Sequence, residues 1–193
     1  VDIKGSVMGA GFLKGCTSID TVKYGGEGEV EIDDQGLVIL NDTVISLTTQ
    51  ANEIIIPSNV RSIGYGALKN CSSLTSVVME EGVESLEQYS FQGCTELESI
   101  YIPNSLTYIG DYVFSDCESL KSITIPESVS YLGCGAFRDC TSLSSVSLPD
   151  SDIRLKERVF ERCKSLTTIT IHDLSIHAAR QFIDFRNAKI CLI

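Results

Sequence analysis

The sequence predicts an α/β solenoid, a right-handed coil with a short parallel sheet on one face and helical, 3-10 or irregular turns on the other. The first observation is a 23-residue repeat: residues 97–120, LESIYIPNSLTYIGDYVFSDCESL, recur at 120–143 as LKSITIPESVSYLGCGAFRDCTSL. The second is that each repeat opens with two apolar residues separated by one other, the alternation of a short half-buried strand. Such self-similarity is typical of stacked turns that cannot each bury a core alone.

Five repeats occupy residues 54–168, and their apolar side chains fall into columns. The strand column is Ile54, Val77, Ile100, Ile123 and Val146. A second apolar column is Ile63, Leu86, Ile109, Leu132 and Leu155, and a column of large residues is Leu68, Phe91, Phe114, Phe137 and Phe160. All four prolines follow the strand, where a residue without an N–H ends the ladder: Pro57, Pro103, Pro126 and Pro149. A column shared by Gly64, Gly110 and Gly133 predicts a turn.

The two ends depart from this pattern within what we take as a single repeat domain, 1–193. Residues 1–24 form a partial N-terminal repeat or cap, because GFLKGCTSIDTV at 11–22 parallels GALKNCSSLTSV at 66–77. Residues 25–50 hold alternating strands separated by turn signals, which predicts a small antiparallel hairpin or meander inserted into the solenoid. Residues 169–193 predict a degenerate C-terminal cap. A chain that opens in mid-repeat is expected to be a fragment or to have an unusual N-terminal cap.

The repeated string I-P-x-S-V-x-x-I-G-x-x-A-F-x-x-C-x-S-L-x-x-I, found over about 54–172, resembles the BspA-type leucine-rich repeats, also called the Treponema pallidum type. The hairpin is similar to a D-x-x-G-x-L segment inside such arrays. Proteins of this type occur on the surface of oral and gut anaerobes and in protist parasites. The resemblance implies an extracellular or cell-surface location and adhesion to host matrix or plasma glycoproteins, or to other cells.

The cysteines predict structure rather than chemistry. Their 23-residue spacing is not a metal-ligand spacing, and parallel side chains of a ladder have the wrong geometry for a disulfide. We therefore expect a column of buried thiols with weak S–H donors: Cys16, Cys71, Cys94, Cys117, Cys140 and Cys163. Cys134 lies in a variable column and is expected to be exposed, and His172 and His177 have no third ligand. With no catalytic, cofactor or metal motif, we expect no enzyme and no cofactor.

Composition limits the class of partner. The chain is 43% apolar and 21% charged, and its net charge is −11. This charge disfavours nucleic acid and anionic membranes, since both need clustered Lys and Arg. No apolar run approaches the roughly 18 residues of a membrane helix, so we expect no membrane insertion of this segment.

The outward side of the strands is the candidate partner-binding surface, since solenoids bind on exposed faces. Its outward column is apolar in the first three turns and polar afterwards, and a column of small serines lies beside it. Glutamates of the second turn rim it and favour a basic partner. The predicted set is Ile55, Val78, Tyr101, Ser76, Ser99, Thr124, Glu80 and Glu81. An alternative interpretation is that the apolar residues only reinforce the sheet.

Three functional hypotheses follow from these observations. The first is a non-enzymatic module that binds a protein of unknown identity through the exposed face of its sheet, with a role in adhesion at the cell surface. The second is a structural spacer in a larger surface protein. The third is an intracellular regulator of a partner protein. An open solenoid end with an incomplete cap would also favour edge-to-edge association.

Overall fold

The computed structural model describes residues 2–3, 23–24, 30–149, 153–171 and 189–192, with side chains described over 30–149 and 153–171. These residues form a β-solenoid of about five turns. Cys16, His172 and His177 lie outside the described residues, as does most of the predicted segments 1–24 and 169–193.

Seventeen strands occur in this described part of the chain. Those before the repeats are β1 (Asp2–Ile3), β2 (Lys23–Tyr24), β3 (Val30–Ile32), β4 (Leu37–Leu40) and β5 (Thr43–Leu47). Those of the repeats are β6 (Glu53–Ile56), β7 (Ser62–Ile63), β8 (Ser76–Met79), β9 (Ser85–Leu86), β10 (Ser99–Tyr101), β11 (Tyr108–Ile109), β12 (Ser122–Thr124), β13 (Tyr131–Leu132), β14 (Ser145–Ser147), β15 (Arg154–Leu155), β16 (Thr168–Ile171) and β17 (Lys189–Leu192).

Each repeat contributes two strands, whereas the sequence predicts one. The first strands form a face that we call the front face, made of two parallel sheets, β6-β8-β10 and β12-β14-β16-β17. The second strands, β7, β9, β11, β13 and β15, form another parallel sheet, which continues into the antiparallel meander β3-β4-β5 through β5 and β7. These second strands have only two residues, too few to show an alternating pattern in the sequence.

The remaining face consists of hydrogen-bonded turns, with no helix or 3-10 segment among the described residues. This corrects the α component of the predicted class: the described chain is a β-solenoid with irregular turns. The physical reason is that alternate N–H groups, such as those of Tyr89, Phe91 and Gly93, donate to carbonyls of the following turn at 2.9–3.0 Å. A helix needs all of its N–H groups for its own backbone.

The glycine column has a different role from the predicted one. Gly64, Gly110 and Gly133 are not in the left-handed region; the two recurring left-handed positions of each turn come later, as at Tyr89 and Gly93. A Cβ on Gly133 would lie 2.3 Å from the carbonyl carbon of Gly110 in the turn before. Glycine is therefore required here because stacked backbones approach closely, not because of its φ angle.

Like side chains stack through the centre of the coil. The rings of Phe91, Phe114, Phe137 and Phe160 lie parallel to their neighbours, with centroids 5.2–5.6 Å apart. The first three rings are fully buried. Burial of these rings, together with the aliphatic columns, is the main favourable contribution of each junction between turns.

The cysteine column lies next to the rings. Cys71, Cys94, Cys117 and Cys140 are buried and form no disulfide in the described structure, while Cys163 is half-buried. The Sγ–H of Cys140 donates to the carbonyl of Phe114 at 3.0 Å, and Cys163 donates in the same way to Phe137. Burial raises the pKa of the Cys117 and Cys140 thiols well above the ordinary value of 9.0. These thiols therefore stay neutral and serve as small core residues with a weak donor.

The outer edge of the front face is closed by a side chain of the meander. Gln35 lies in the turn between β3 and β4, and its amide spans the edge of β6 like a strand partner. The side-chain nitrogen donates to the carbonyl of Ile55 at 2.9 Å, and the side-chain oxygen accepts from the Ile55 N–H at 2.6 Å. Asp33 holds the same amide from the other side at 3.0 Å. The insertion thus protects an edge that would otherwise pair with another chain.

We expect Gln35→Ala to lower the free energy of unfolding by about 1–3 kcal/mol, because two backbone groups of Ile55 lose their partners. Urea denaturation measures this loss. Gln88→Ala is the matched control, since the Gln88 side chain makes no hydrogen bond in the described structure. Equal stability of the Gln35 variant and the control would contradict a role for the amide in closing the edge.

We expect the free energy of unfolding to fall as pH rises above about 9. The unfolded chain then releases the thiol protons of Cys117 and Cys140, whereas the folded chain, with raised thiol pKa values, keeps them. The slope reaches about 1.4 kcal/mol per pH unit per thiol. Urea denaturation of the native chain and a Cys117→Ala/Cys140→Ala variant, under reducing conditions from pH 8 to 10.5, tests this. Parallel pH profiles of the two proteins would contradict it.

Candidate protein-binding surface

The predicted apolar column forms a continuous stripe on the front face. Ile55 pairs in register with Val78, and Val78 pairs with Tyr101, so the three side chains lie side by side on adjacent strands. Their exposed fractions are 50%, 41% and 53%, although Ile and Val are usually inside a protein. We call these three residues the front stripe.

The front stripe ends where the sheet ends. Tyr101 belongs to β10, the last strand of its sheet, whereas Thr124 belongs to β12, the first strand of the next. Thr124 is exposed and pairs with Ser147, which pairs with Thr170. The change from apolar to polar residues in the outward column therefore coincides with a break between two sheets, and Thr124 is not hydrogen-bonded to the strand that carries Tyr101.

The serine column lies beside the stripe. Ser76 pairs with Ser99, and the Ser99 hydroxyl donates to that of Ser76 at 3.4 Å. These short side chains project little from the sheet beside the stripe. The arrangement suits a partner that approaches closely and offers polar groups of its own.

The predicted acidic rim makes local contacts in addition to being exposed. Glu80 accepts a hydrogen bond from the Ser58 N–H at 2.9 Å. Glu81 accepts from the N–H groups of Asn104 and Ser105 at 3.1 and 3.0 Å. Each carboxylate thus ties its own turn to a neighbouring one. Their place in partner binding stays a prediction.

A cleft that the sequence analysis did not identify opens between β10 and β12. Its volume is about 620 Å³, and it is lined by both strands and by the end of β14. Ile100 is only half-buried there, whereas its equivalents Val77 and Ile123 are 1% and 4% exposed. A sequence signal exists in the column of Asn52, Thr75, Glu98, Lys121, Ser144 and Thr167, where two long charged residues interrupt short polar ones.

Three further predictions concern metal ligands, the thiol of Cys134 and membrane insertion. Among residues 30–149 and 153–171, no group of three or more His, Cys, Asp or Glu side chains could hold a metal ion. Cys134 is half-buried rather than exposed as expected, and its Sγ lies 3.8 Å from the Tyr112 hydroxyl. That hydrogen bond raises the pKa of Tyr112 and gives the thiol no activating base. The described elements also include no helix with the length and hydrophobicity to cross a membrane.

Several solved structures share this architecture. A Treponema pallidum leucine rich repeat protein is 25% identical, with a TM-score of 0.64, and the match covers 81% of this chain and 77% of that one. A leucine rich cell surface protein from Faecalibacterium prausnitzii is 23% identical, with a TM-score of 0.74 over 95% of this chain and 51% of that one. The pneumococcal vaccine antigen PcpA is 20% identical, with a TM-score of 0.65 over 80% and 40% of the two chains.

The last two similarities concern the fold alone, and this chain spans about half or less of those two proteins. A comparison with curated proteins finds no match. The sequence profile of the BspA type leucine rich repeat region matches six copies, at residues 29–140 and 109–189. This match covers more than half of the sequence and follows the columns described above, so the chain belongs to the BspA-type leucine-rich repeat family.

Proposed function

We propose that this chain is a non-enzymatic protein-binding module, which a partner protein contacts through the front stripe of Ile55, Val78 and Tyr101. Proteins of this family are generally interaction or surface modules. The observation that carries the proposal is three large apolar side chains, each 41–53% exposed, side by side on adjacent strands. Covering the exposed half of these side chains contributes on the order of 1 kcal/mol each.

The surroundings of the stripe suit a basic protein. The chain has a net charge of −11, and Glu80 and Glu81 are exposed beside the stripe. Complementary charge speeds encounter and disfavours acidic competitors. Tyrosine is also enriched among the few residues that dominate binding energy. Tyr101 is the aromatic member of the stripe and lies at its end, on the last strand of the sheet.

The finer proposal is adhesion at a cell surface, to host matrix or plasma glycoproteins or to another cell. Its support is membership of a family found in surface proteins. The spacer hypothesis is the second candidate, favoured by the contacts of Glu80 and Glu81 with neighbouring turns. Because these carboxylates accept hydrogen bonds from neighbouring turns, their role is explained by the stability of the coil without a ligand.

We expect a partner from a panel of matrix and plasma glycoproteins to bind the native chain and to lose at least tenfold in affinity on Ile55→Ser/Val78→Ser/Tyr101→Ser. The physical reason is the loss of apolar area at the centre of the contact. Biolayer interferometry measures the affinity, and circular dichroism checks that the variant folds. The matched control is Tyr65→Ser/Tyr108→Ser, which removes two other exposed apolar residues outside the stripe.

A partner that binds the stripe variant as tightly as the native chain would overturn the proposed surface. Equal weakening by the control variant would indicate a general effect of exposed apolar residues rather than a specific contact. No binding to any protein of the panel would favour the spacer hypothesis.

A further inference from the structure

On the front face, the strands of neighbouring repeats are hydrogen-bonded to each other at every described junction except one. We call the hydrogen-bonded junctions closed and the exception, between β10 and β12, the open junction. Strands β6, β8 and β10 pair in register, and so do β12, β14 and β16. At these closed junctions the residue before each strand donates to the preceding turn: Thr75 to Asn52, Glu98 to Thr75, Ser144 to Lys121 and Thr167 to Ser144, at 2.7–3.0 Å. No corresponding bond joins Lys121 to Glu98 in the described structure, and β10 and β12 belong to separate sheets.

The opening is confined to the front face. On the second sheet the same two turns are paired at Tyr108 and Tyr131. On the turn face the N–H of Phe114 donates to the carbonyl of Ala136 at 2.8 Å, and the rings of Phe114 and Phe137 are 5.2 Å apart. The two turns are therefore joined behind the cleft, and only their front strands are separated.

The local sequence differs at the open junction. In the closed junctions, the hydroxyls of Thr75, Ser144 and Thr167 donate to the carbonyl of the preceding turn at 2.9–3.3 Å. Glu98 and Lys121 occupy the same column at the open junction and have no hydroxyl, although the N–H of Glu98 still closes the junction before it by donating to Thr75. Their side chains instead form an ion pair across the mouth, with exposed fractions of 53% and 67%. Such an exposed pair contributes little and is readily exchanged for another partner.

The walls of the cleft offer backbone groups and apolar surface together. Ser122 is the equivalent of Ser76 and Ser99, whose N–H groups donate to the preceding turn at 3.1 and 3.3 Å. The described residues provide no such acceptor for the Ser122 N–H. Edges of this kind pair with any extended chain that reaches them. Ile100, Ile123 and Ile125 supply the apolar floor, and the volume of about 620 Å³ lies within the range of ligand sites.

Charge decides among the possible occupants. Glu98 and Glu127 line the cleft, in a chain with a net charge of −11. A second copy of the chain would have the same negative charge, and a small apolar molecule would leave the strand edges without hydrogen bonds. A cationic side chain entering with a backbone would compete with Lys121 for Glu98.

We propose that the cleft between β10 and β12 binds a short extended segment of a basic partner protein, which adds to the open strand edges through its backbone. One apolar side chain of the segment rests over Ile100, and a Lys or Arg pairs with Glu98. This inference deepens the proposed function: it rests on the front face being the protein-binding surface and names the chemistry of what binds.

The probes are fluorescein-labelled octapeptides. The parent peptide is Lys-Thr-Val-Thr-Phe-Thr-Val-Lys, and a library varies its central positions while keeping both lysines. Two comparison peptides replace both lysines by glutamate, or two threonines by proline, which removes backbone donors. The closed variant is Glu98→Thr/Lys121→Ser, which introduces the residue types of the closed junctions. Lys121→Ser alone is the milder version, should the double change disturb folding.

We expect the best basic peptide to bind the native chain at least tenfold more tightly than either comparison peptide, and at least tenfold more tightly than it binds the closed variant. Fluorescence anisotropy measures the affinity. Hydrogen exchange gives a second measurement: the amides of Ser122 and Thr124 exchange faster than those of Ser145 and Ser147 in the native chain. Their exchange slows when the peptide binds and also slows in the closed variant.

Equal binding of the peptide to native and closed chains overturns the inference, and so does a library in which no peptide binds. If the amides of Ser122 and Thr124 are instead protected by self-association of the chain, a second copy is the occupant, and this result also overturns the inference. Ile55→Ser/Val78→Ser separates this inference from the proposed function. A partner protein lost by that variant but retained by the closed variant leaves the front stripe as the binding surface and removes the cleft.

Discussion

The structure depends on the contact between one turn and the next. A single turn has too few apolar side chains to bury a core of its own, so each column becomes stable only as a ladder. The rings stacked on both sides of Phe114 and the backbone hydrogen bonds from alternate residues of each turn are both contacts with a neighbouring turn. A residue that fits this contact therefore recurs at every 23rd position, and one that does not fit weakens two junctions at once.

The same constraint explains several features that at first resemble functional chemistry. The thiols of Cys117 and Cys140 fit the space beside the rings and donate weakly to buried carbonyls, and burial keeps them neutral by raising their pKa. The acidic residues of the second turn accept backbone N–H groups from adjacent turns. The amide of Gln35 closes the edge of β6, which is the end strand of its sheet among the described residues. Each of these side chains satisfies backbone groups or fills space that stacking creates.

The candidate site lies where stacking is relaxed. Two turns remain joined on the second sheet and on the turn face, but their front strands separate beside Glu98 and Lys121. The front stripe ends at this same junction, so exposed apolar residues and open strand edges are neighbours. A partner that covers the stripe could continue into the cleft with a single extended segment, which joins the two proposed contacts into one surface.

The sequence by itself determined the period, the inward columns, the family and the outward position of the front stripe. The inward columns follow from apolar residues that recur at a fixed offset, and the outward position of the front stripe follows from the alternation of side chains along each strand. The tertiary structure alone decided the second strand of each repeat, the turns in place of a helix, and the reason for Gly133. It also decided where the front ladder breaks. These features depend on which N–H group reaches which carbonyl in the next turn, and that pairing is set by the distance between backbones. Glu98 and Lys121 mark the position of the break in the sequence, but their residue types alone do not predict it.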